Sequence, residues 1–304
     1  MKTIVTGGAG FLGTHLCRAL KAAGHEVLVI DLKENREFET LIADVRDKEK
    51  MLELVNDVDV VFHLAAFLDV GDSVANPYSY IENNIVGSLN ILDAMRVNGV
   101  KNFIFSSTAA VYGEPTVVPI TEDSRTMPIN PYGASKLAME ALISSYAYNH
   151  GITGIGLRYF NLYGPEEHHE PEVHAIPRFI DQIKNGKEVT VWGSGEHQRD
   201  YIYISDIVDA HILAMQLMQD EPGKYHYFNL STENPTSVLQ VIETIAAEMG
   251  KEPNIKYFPP RPGDPLLLYA DASKAREQLG WTPKVSFKDG IKNTIAYFDK
   301  NTND

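Results

Sequence analysis

The sequence predicts an α/β protein built on a doubly wound parallel sheet, with a smaller α+β lobe toward its C-terminal end. Three observations carry this reading. The chain opens with an apolar strand, a glycine-rich turn and a helical pattern; a second apolar strand follows and ends at an acidic residue; and strands then keep alternating with helices.

Ile4 and Val5 end the first strand, and Thr6-Gly-Gly-Ala-Gly-Phe-Leu-Gly13 forms the turn. Glycine turns tightly and admits a ligand where a Cβ would block it, and the N-terminus of the following helix attracts an anion, so the context suits a pyrophosphate. Phe11, Leu12, Leu16, Cys17 and Leu20 have the spacing of a helix that packs back on the strand. The order Gly7-x-x-Gly10-x-x-Gly13 departs from the common G-x-G-x-x-G fingerprint. The second strand, Glu26–Ile30, ends at Asp31, where a carboxylate grips a ribose 2′-hydroxyl and repels a 2′-phosphate, which favours NAD over NADP. Apart from that turn, Asp31 would read as a solvated loop carboxylate.

Further strands are expected at Val58–His63, Asn102–Ser106 and Thr153–Arg158, with helices at Lys48–Val55, Tyr78–Asn98 and Tyr132–Asn149. After Asn161 the rhythm breaks: Gly164–Pro177 is rich in Pro, Glu and His, and later helices are expected near Ser237–Met249 and Asp289–Phe298. Residues 1–160 are therefore expected to form a Rossmann-type dinucleotide-binding domain. Residues 161–304 are expected to form mainly a ligand-binding lobe over the carboxyl edge of the sheet, with some segments returning to the sheet.

The net charge of −14 is spread along 304 residues without a basic block, which argues against nucleic acid or an anionic membrane as a partner and requires a locally basic pocket for any anionic substrate. The single cysteine, Cys17, lies in the first helix and suggests neither a disulfide nor a cysteine metal site. With no leader pattern and no apolar run of spanning length, a soluble cytoplasmic protein is expected. His168, His169 and His174 read as loop residues, and no metal is expected.

Tyr132-Gly-Ala-Ser-Lys136 places a phenol and an ammonium on one helix face, where the cation stabilises phenolate and draws the tyrosine toward use as a base. Most Tyr-x-x-x-Lys spacings are merely amphipathic helices, so the company matters. Phe103-Ile-Phe-Ser-Ser-Thr108 runs a strand into hydroxyls at the carboxyl edge, where Thr108 could bridge a sugar oxygen and the Tyr132 phenol.

TGGAGFLG, His63-Leu-Ala-Ala66, Phe105-Ser-Ser-Thr-Ala-Ala-Val-Tyr-Gly113, Tyr132-x-x-x-Lys136, Leu157-Arg-Tyr-Phe-Asn161 and Arg199-Asp-Tyr201 together resemble the extended short-chain dehydrogenase/reductase family, and within it the UDP-glucose (UDP-galactose) 4-epimerases. The resemblance covers essentially the whole chain. It implies that Thr108, Tyr132 and Lys136 are catalytic. It implies that Gly7, Gly10, Phe11, Leu12, Gly13 and Asp31 hold NAD, that Asp44 and Val45 bracket the adenine, and that Leu64, Ala65, Asn84 and Tyr159 line the rest of the cofactor path, with Tyr132 and Lys136. Asn161, Arg199 and Arg261 match positions on the nucleotide diphosphate, Asp264 lies near the uridine ribose, and Thr190 and Trp192 match a segment that meets uracil. Two arginine forks would supply the local positive site that the acidic chain otherwise lacks.

The implied reaction is 4-epimerisation of a UDP-hexose through a transient 4-keto sugar. Related 4,6-dehydratases carry Asp-Glu after the threonine, and decarboxylases tend to carry Glu; here Ala109 and Ala110 can transfer no proton. His174 stands where the family often has Asn near the phosphates, and Leu268 stands where a bulky Tyr excludes N-acetylated sugars, so the sugar stays open. Apolar residues on more than one face of the 78–95 and 132–148 helices, among them Ile81, Ile85, Leu89 and Leu92, lead to the expectation of a homodimer. A non-catalytic dinucleotide-binding regulator, or a net oxidoreductase on a nucleotide sugar, is the other reading.

Overall fold

The computed structural model describes residues 1–167, 174–260 and 266–300. Strand β1 (Lys2–Thr6) leads through the glycine turn into helix α1 (Phe11–Ala22), and β2 (Glu26–Asp31) and β3 (Thr40–Ile42) extend the sheet to one side. Strands β4 (Val60–His63), β5 (Asn102–Thr108) and β6 (Thr153–Tyr159) extend it to the other. A seventh strand, Tyr225–Leu230, closes that edge beside β6, pairing Phe228 with Leu157. All seven are parallel, in the order Tyr225–Leu230, β6, β5, β4, β1, β2, β3.

The order reverses between β1 and β4. Parallel strands need crossover helices on both faces, so the central strands are buried on both sides and read as apolar runs. Val60–His63 is buried at every position, as is Thr153–Tyr159. One face packs Leu16, Cys17 and Leu20 of α1 with Ile207, Val208 and Met215 of the Ile204–Asp220 helix; the other packs Ile91, Leu92 and Met95 with Met139 and Ile143.

The expected 78–98 helix is interrupted. Pro77–Tyr80 and Ser88–Asn98 are joined by a π-helical turn, Ile81–Gly87, a local widening often found at functional sites. Beyond β6 the strands shorten. Asn161–Tyr163 pairs with Tyr201–Tyr203, Glu188–Trp192 with Asn254–Phe258, and Gln198–Arg199 with both Thr236–Ser237 and Leu267–Leu268. The helices Ala175–Lys184, Val238–Met249 and Phe287–Lys300 enclose a separate core around Phe179, Ile183, Val189, Val191, Ile242 and Ile291. Ser237 and Gln240 form a reciprocal capping box that starts the second of these helices.

Candidate active site

A cleft of about 1160 Å³ opens at the carboxyl ends of the strands, across the β1/β4 reversal, where open α/β sheets bind ligands. Gly7 takes φ of +72°, and its N–H donates to the Ile30 carbonyl at 2.9 Å, fixing the turn to β2. A Cβ at Gly7 would stand 2.7 Å from the Ala65 nitrogen, and one at Gly13 only 2.2 Å from the Gly7 carbonyl oxygen. Gly10 caps α1 with no side chain, so the first turn of the helix faces the cleft with its N–H groups.

Asp31 lines the cleft at the end of β2. Its Oδ2 accepts from the Ala9 N–H at 3.0 Å and its Oδ1 from the Lys33 N–H at 3.1 Å, so one carboxylate ties the glycine turn to the loop after β2. Gly7, Gly10, Phe11, Leu12, Gly13 and Asp31 all line the cleft, as do Asp44, Val45, Leu64, Ala65 and Tyr159. Both oxygens of Asp44 receive Arg46 Nε at 3.0 Å, which fixes that wall. Asn84 sits behind the wall: it is 2% exposed, its Oδ1 accepts from the Phe67 N–H at 2.8 Å, and its Nδ2 donates to Ser135 Oγ at 3.1 Å. Its neighbour Asn83, turned inward by the π-helix, lines the cleft instead.

Thr108, at the end of β5, hydrogen-bonds the half-buried Tyr132 phenol at the start of the Pro131–His150 helix. One helical turn on, Lys136 is buried, with Nζ 6.0 Å from the Tyr132 ring centroid, 4.9 Å from that of Phe105, and donating to the Ser106 carbonyl at 2.8 Å. Burial lowers the Lys136 ammonium to about 7. The expected depression of the phenol is not found in the protein alone: burial raises Tyr132, and only the Thr108 hydrogen bond pulls the other way. The physical reason is shared desolvation, which favours the neutral form of both groups.

Two histidines that the sequence reading gave no role support these groups. His63 is 1% exposed; Thr6 Oγ1 lies 2.6 Å from its Nδ1, and Ser88 Oγ lies 2.6 Å from its Nε2 and donates to the Asn84 carbonyl. Because that hydroxyl proton is used, Nε2 carries the ring proton and donates to Ser88, while Nδ1 accepts from Thr6, whose oxygen also receives the Ala65 N–H at 3.3 Å. Burial lowers His63 to about 3, so it stays neutral. His211, fully buried on the Ile204–Asp220 helix, donates from Nδ1 to the Ile207 carbonyl at 2.8 Å and accepts the Tyr159 hydroxyl at Nε2, 3.1 Å away.

Among the expected substrate residues, Thr108, Asn161 and His174 line the cleft. Asn161 Nδ2 donates to the Asp200 carbonyl at 3.0 Å, and His174 Nδ1 lies 2.5 Å from Oε1 of the buried Glu167. Thr190, Trp192, Arg199 and Leu268 lie outside that lining, in the lobe formed after β6. The Trp192 ring stands 5.1 Å from that of Phe258, and Arg199 pairs in register with Leu268, which brings together two residues far apart in sequence. Arg261 and Asp264, like His168 and His169, lie outside the described residues. Among the described residues no cluster of His, Cys, Asp or Glu is placed to hold a metal.

A glycine cradle at the β1/β4 reversal, an acid at the end of β2 and a Thr–Tyr–Lys cluster at the end of β5 define a dinucleotide-dependent enzyme of the short-chain dehydrogenase/reductase type. Residues 3–230 match the NAD dependent epimerase/dehydratase family, and the chain belongs to it. It is 41% identical to a UDP-glucose 4-epimerase of Corynebacterium glutamicum, over 93% of this chain and 91% of that one. Its structure resembles that of a UDP-glucose 4-epimerase from Thermotoga maritima solved with UDP-glucose, at 38% identity and a TM-score of 0.93 over 99% of both chains. It also resembles a UDP-glucose 4-epimerase from Stenotrophomonas maltophila with bound NAD and formylated UDP-arabinopyranose, at 32% identity and a TM-score of 0.92, covering 99% of this chain and 98% of that one.

Proposed function

We propose that this protein is an NAD-dependent epimerase that inverts C4 of a UDP-hexose. The observation that carries the reading is the Thr108–Tyr132–Lys136 cluster opening onto a glycine-cradled cleft, with Ala109 and Ala110 following Thr108 where proton-transferring acids would support dehydration or decarboxylation. The shape fits the dinucleotide: Gly7 and Gly13 let the turn close against Ala65 and on itself, Gly10 leaves the first turn of α1 open to the cleft, and Asp31 stands at the ribose end in this reading. NAD, when bound, accepts the hydride of the sugar C4 and returns it, so no net redox occurs.

The residues of the chain do the rest. Tyr132 Oη takes the proton of the sugar 4-hydroxyl and later gives it back. Thr108 Oγ1 orients both oxygens, and Lys136 holds positive charge under the phenol when Tyr132 is ionised. Inversion requires the oxidised sugar to present its other face while the diphosphate stays anchored, a task for Asn161, Arg199 and Arg261, with Asp264, Thr190 and Trp192 at the uridine and His174 near the phosphates. Leu268, beside Arg199, borders the sugar in this reading, and its intermediate size leaves plain and N-acetylated sugars both open.

The same reading divides the chain into a cofactor domain of residues 1–160 and a mainly substrate-binding lobe of 161–304. It makes the protein a cytoplasmic homodimer paired through the 78–95 and 132–148 helices. Ile81, Val86 and Tyr148 on these two helices are exposed, which supports the pairing, whereas Leu92 is buried in the core of the chain itself.

The test is incubation with UDP-galactose and, separately, UDP-N-acetylgalactosamine, read by proton NMR at equilibrium. The gluco epimer is expected without accumulation of NADH. Stoichiometric NADH would make the protein a net oxidoreductase, and no conversion of either sugar would overturn the epimerase reading.

A further inference from the structure

Three successive turns of one helix grip three consecutive residues of β5. Tyr132 meets the Thr108 hydroxyl, Lys136 Nζ donates to the Ser106 carbonyl at 2.8 Å, and Ser107 Oγ donates to Glu140 Oε1 at 2.5 Å. The spacing 132, 136, 140 keeps all three side chains on one helix face. The first two clips belong to the chemistry above, whereas the third has no part in it.

Glu140 is deeply buried, with its side chain 5% exposed, and it faces Arg158 of β6, whose side chain is 4% exposed. Arg158 Nε donates to Glu140 Oε1 at 2.9 Å, Nη2 donates to Oε2, and Nη1 donates to the Tyr112 hydroxyl at 2.7 Å. A buried ion pair is poor evidence for stability, because desolvation offsets the attraction and an apolar pair of equal volume packs as well. What the charged pair adds is direction, since it holds the helix in one register on β5 and β6.

We propose that Glu140, braced by Arg158 and holding Ser107, is a positioning residue that sets where Tyr132 and Lys136 stand against Thr108 and so tunes the proton affinity of that pair. The inference rests on Tyr132 as the base of the proposed reaction. The other groups facing the pair are Tyr159 from β6, on Tyr132, and His63 from β4, on Lys136; His63 is neutral, and burial keeps Tyr159 protonated. Glu140 and Arg158 in turn face Tyr112, Tyr225 and Tyr227, with Glu122 and Lys274 beyond Arg158. Glu140→Gln keeps the shape but leaves the guanidinium unbalanced, and an added positive potential lowers both protonation steps of a coupled pair. Across two helical turns, about 12 Å, with an effective dielectric constant of about 20, the effect is about one pH unit at Tyr132.

The experiment uses the full-length holoenzyme and compares Glu140→Gln, Glu140→Asp and Ser107→Ala with wild type. The readouts are kcat and KM against pH, thermal unfolding, and a ¹⁹F titration of fluorotyrosine placed at position 132. Glu140→Gln is expected to move both the acid limb of kcat and the fluorine midpoint to lower pH by about 0.5 to 1 unit, with KM within about twofold. Glu140→Asp keeps the charge but withdraws it by one methylene, and Ser107→Ala removes the clip without burying a new charge. Both are expected to lower kcat by roughly five- to twentyfold with KM little changed. Wild-type kcat and pH profiles in all three variants, or losses that only track the unfolded fraction, would overturn the proposal. If wild type converts neither sugar, the functional reading fails on its own, and an unmoved fluorine midpoint in Glu140→Gln then overturns the positioning role separately.

Discussion

Lys136 lies buried beneath Tyr132, its Nζ 6.0 Å from the ring centroid and bonded to the Ser106 carbonyl. Burial drives the phenol up and the ammonium down, so the cluster carries less charge in the free protein than a surface Tyr–Lys pair would. Added positive charge in the cleft favours the phenolate and the neutral amine alike.

Tyr132→Phe removes the proton acceptor and leaves the glycine cradle intact. Turnover on a UDP-hexose is expected to fall by at least about a hundredfold, the usual worth of a general base. NAD should still co-purify with the variant at wild-type stoichiometry. Near-normal kcat would take Tyr132 out of the base role.

Lys136 gives a test on the cofactor-free protein. Its folded value, about 7, lies below the unfolded value near 10.5, so between these the unfolded chain holds a proton that the native state lacks. Stability therefore rises with pH through that window, and the burial penalty is fully present below pH 7. Urea titrations at pH 7 and 9.5 should show Lys136→Met losing about 2–3 kcal/mol of the rise that wild type displays. Parallel curves for the two proteins would show that Lys136 keeps its proton in the fold.

His63 and His211 act in the acid range. Their folded values, about 3 and about 4, lie below the ordinary 6.5, so the unfolded state binds the extra protons and stability falls as pH drops from 6.5 toward 4. Each is expected to contribute roughly 1–3 kcal/mol to that loss. Replacing His63 with Asn should flatten the acid limb of the unfolding free energy, at a cost in stability near neutrality from the broken Thr6 and Ser88 bonds.

Asp31→Ala removes the acceptor for the Ala9 and Lys33 N–H groups as well as the anion assigned above to the ribose. NAD affinity is expected to fall by about tenfold or more, and the preference over NADP to narrow, because repulsion of a 2′-phosphate is lost. Calorimetric titration with both dinucleotides checks it; an unchanged ratio of the two affinities would contradict the assignment.

Gly13→Ala places a Cβ 2.2 Å from the Gly7 carbonyl oxygen, a backbone atom that cannot swing aside. The turn must open, and a loss of about 1–3 kcal/mol in unfolding free energy is expected, together with weakened NAD binding. Gly24→Ala serves as a control for backbone conformation alone: Gly24 has φ of +81° and no atom within 4 Å of an added Cβ.

Much of the site was legible because its parts are local. The strand–glycine–helix unit, Asp31 after the second strand, and the i, i+4 spacing of Tyr132 and Lys136 each sit within one or two adjacent elements; the glycines, Asp31 and Tyr132 line the cleft, and Lys136 is buried behind Tyr132 on the Ser106 carbonyl. The supporting residues were not legible. Nothing in a run of sequence shows that His63 is wired between Thr6 and Ser88, that a π-turn swings Asn83 into the cleft and Asn84 behind it, or that Arg199 lies beside Leu268.

Periodicity and short spacings express contacts between near neighbours, so the alternation of strands and helices, the place of the glycine turn and the i, i+4 spacing of Tyr132 and Lys136 are carried by the sequence alone. Only the tertiary structure shows that Tyr225–Leu230 returns to the sheet edge, that Glu140 pairs with Arg158 between the Pro131–His150 helix and β6, and that burial raises the phenol. Those outcomes depend on which distant segments pack together and on how much water they exclude, and neither quantity is carried by any single stretch of chain.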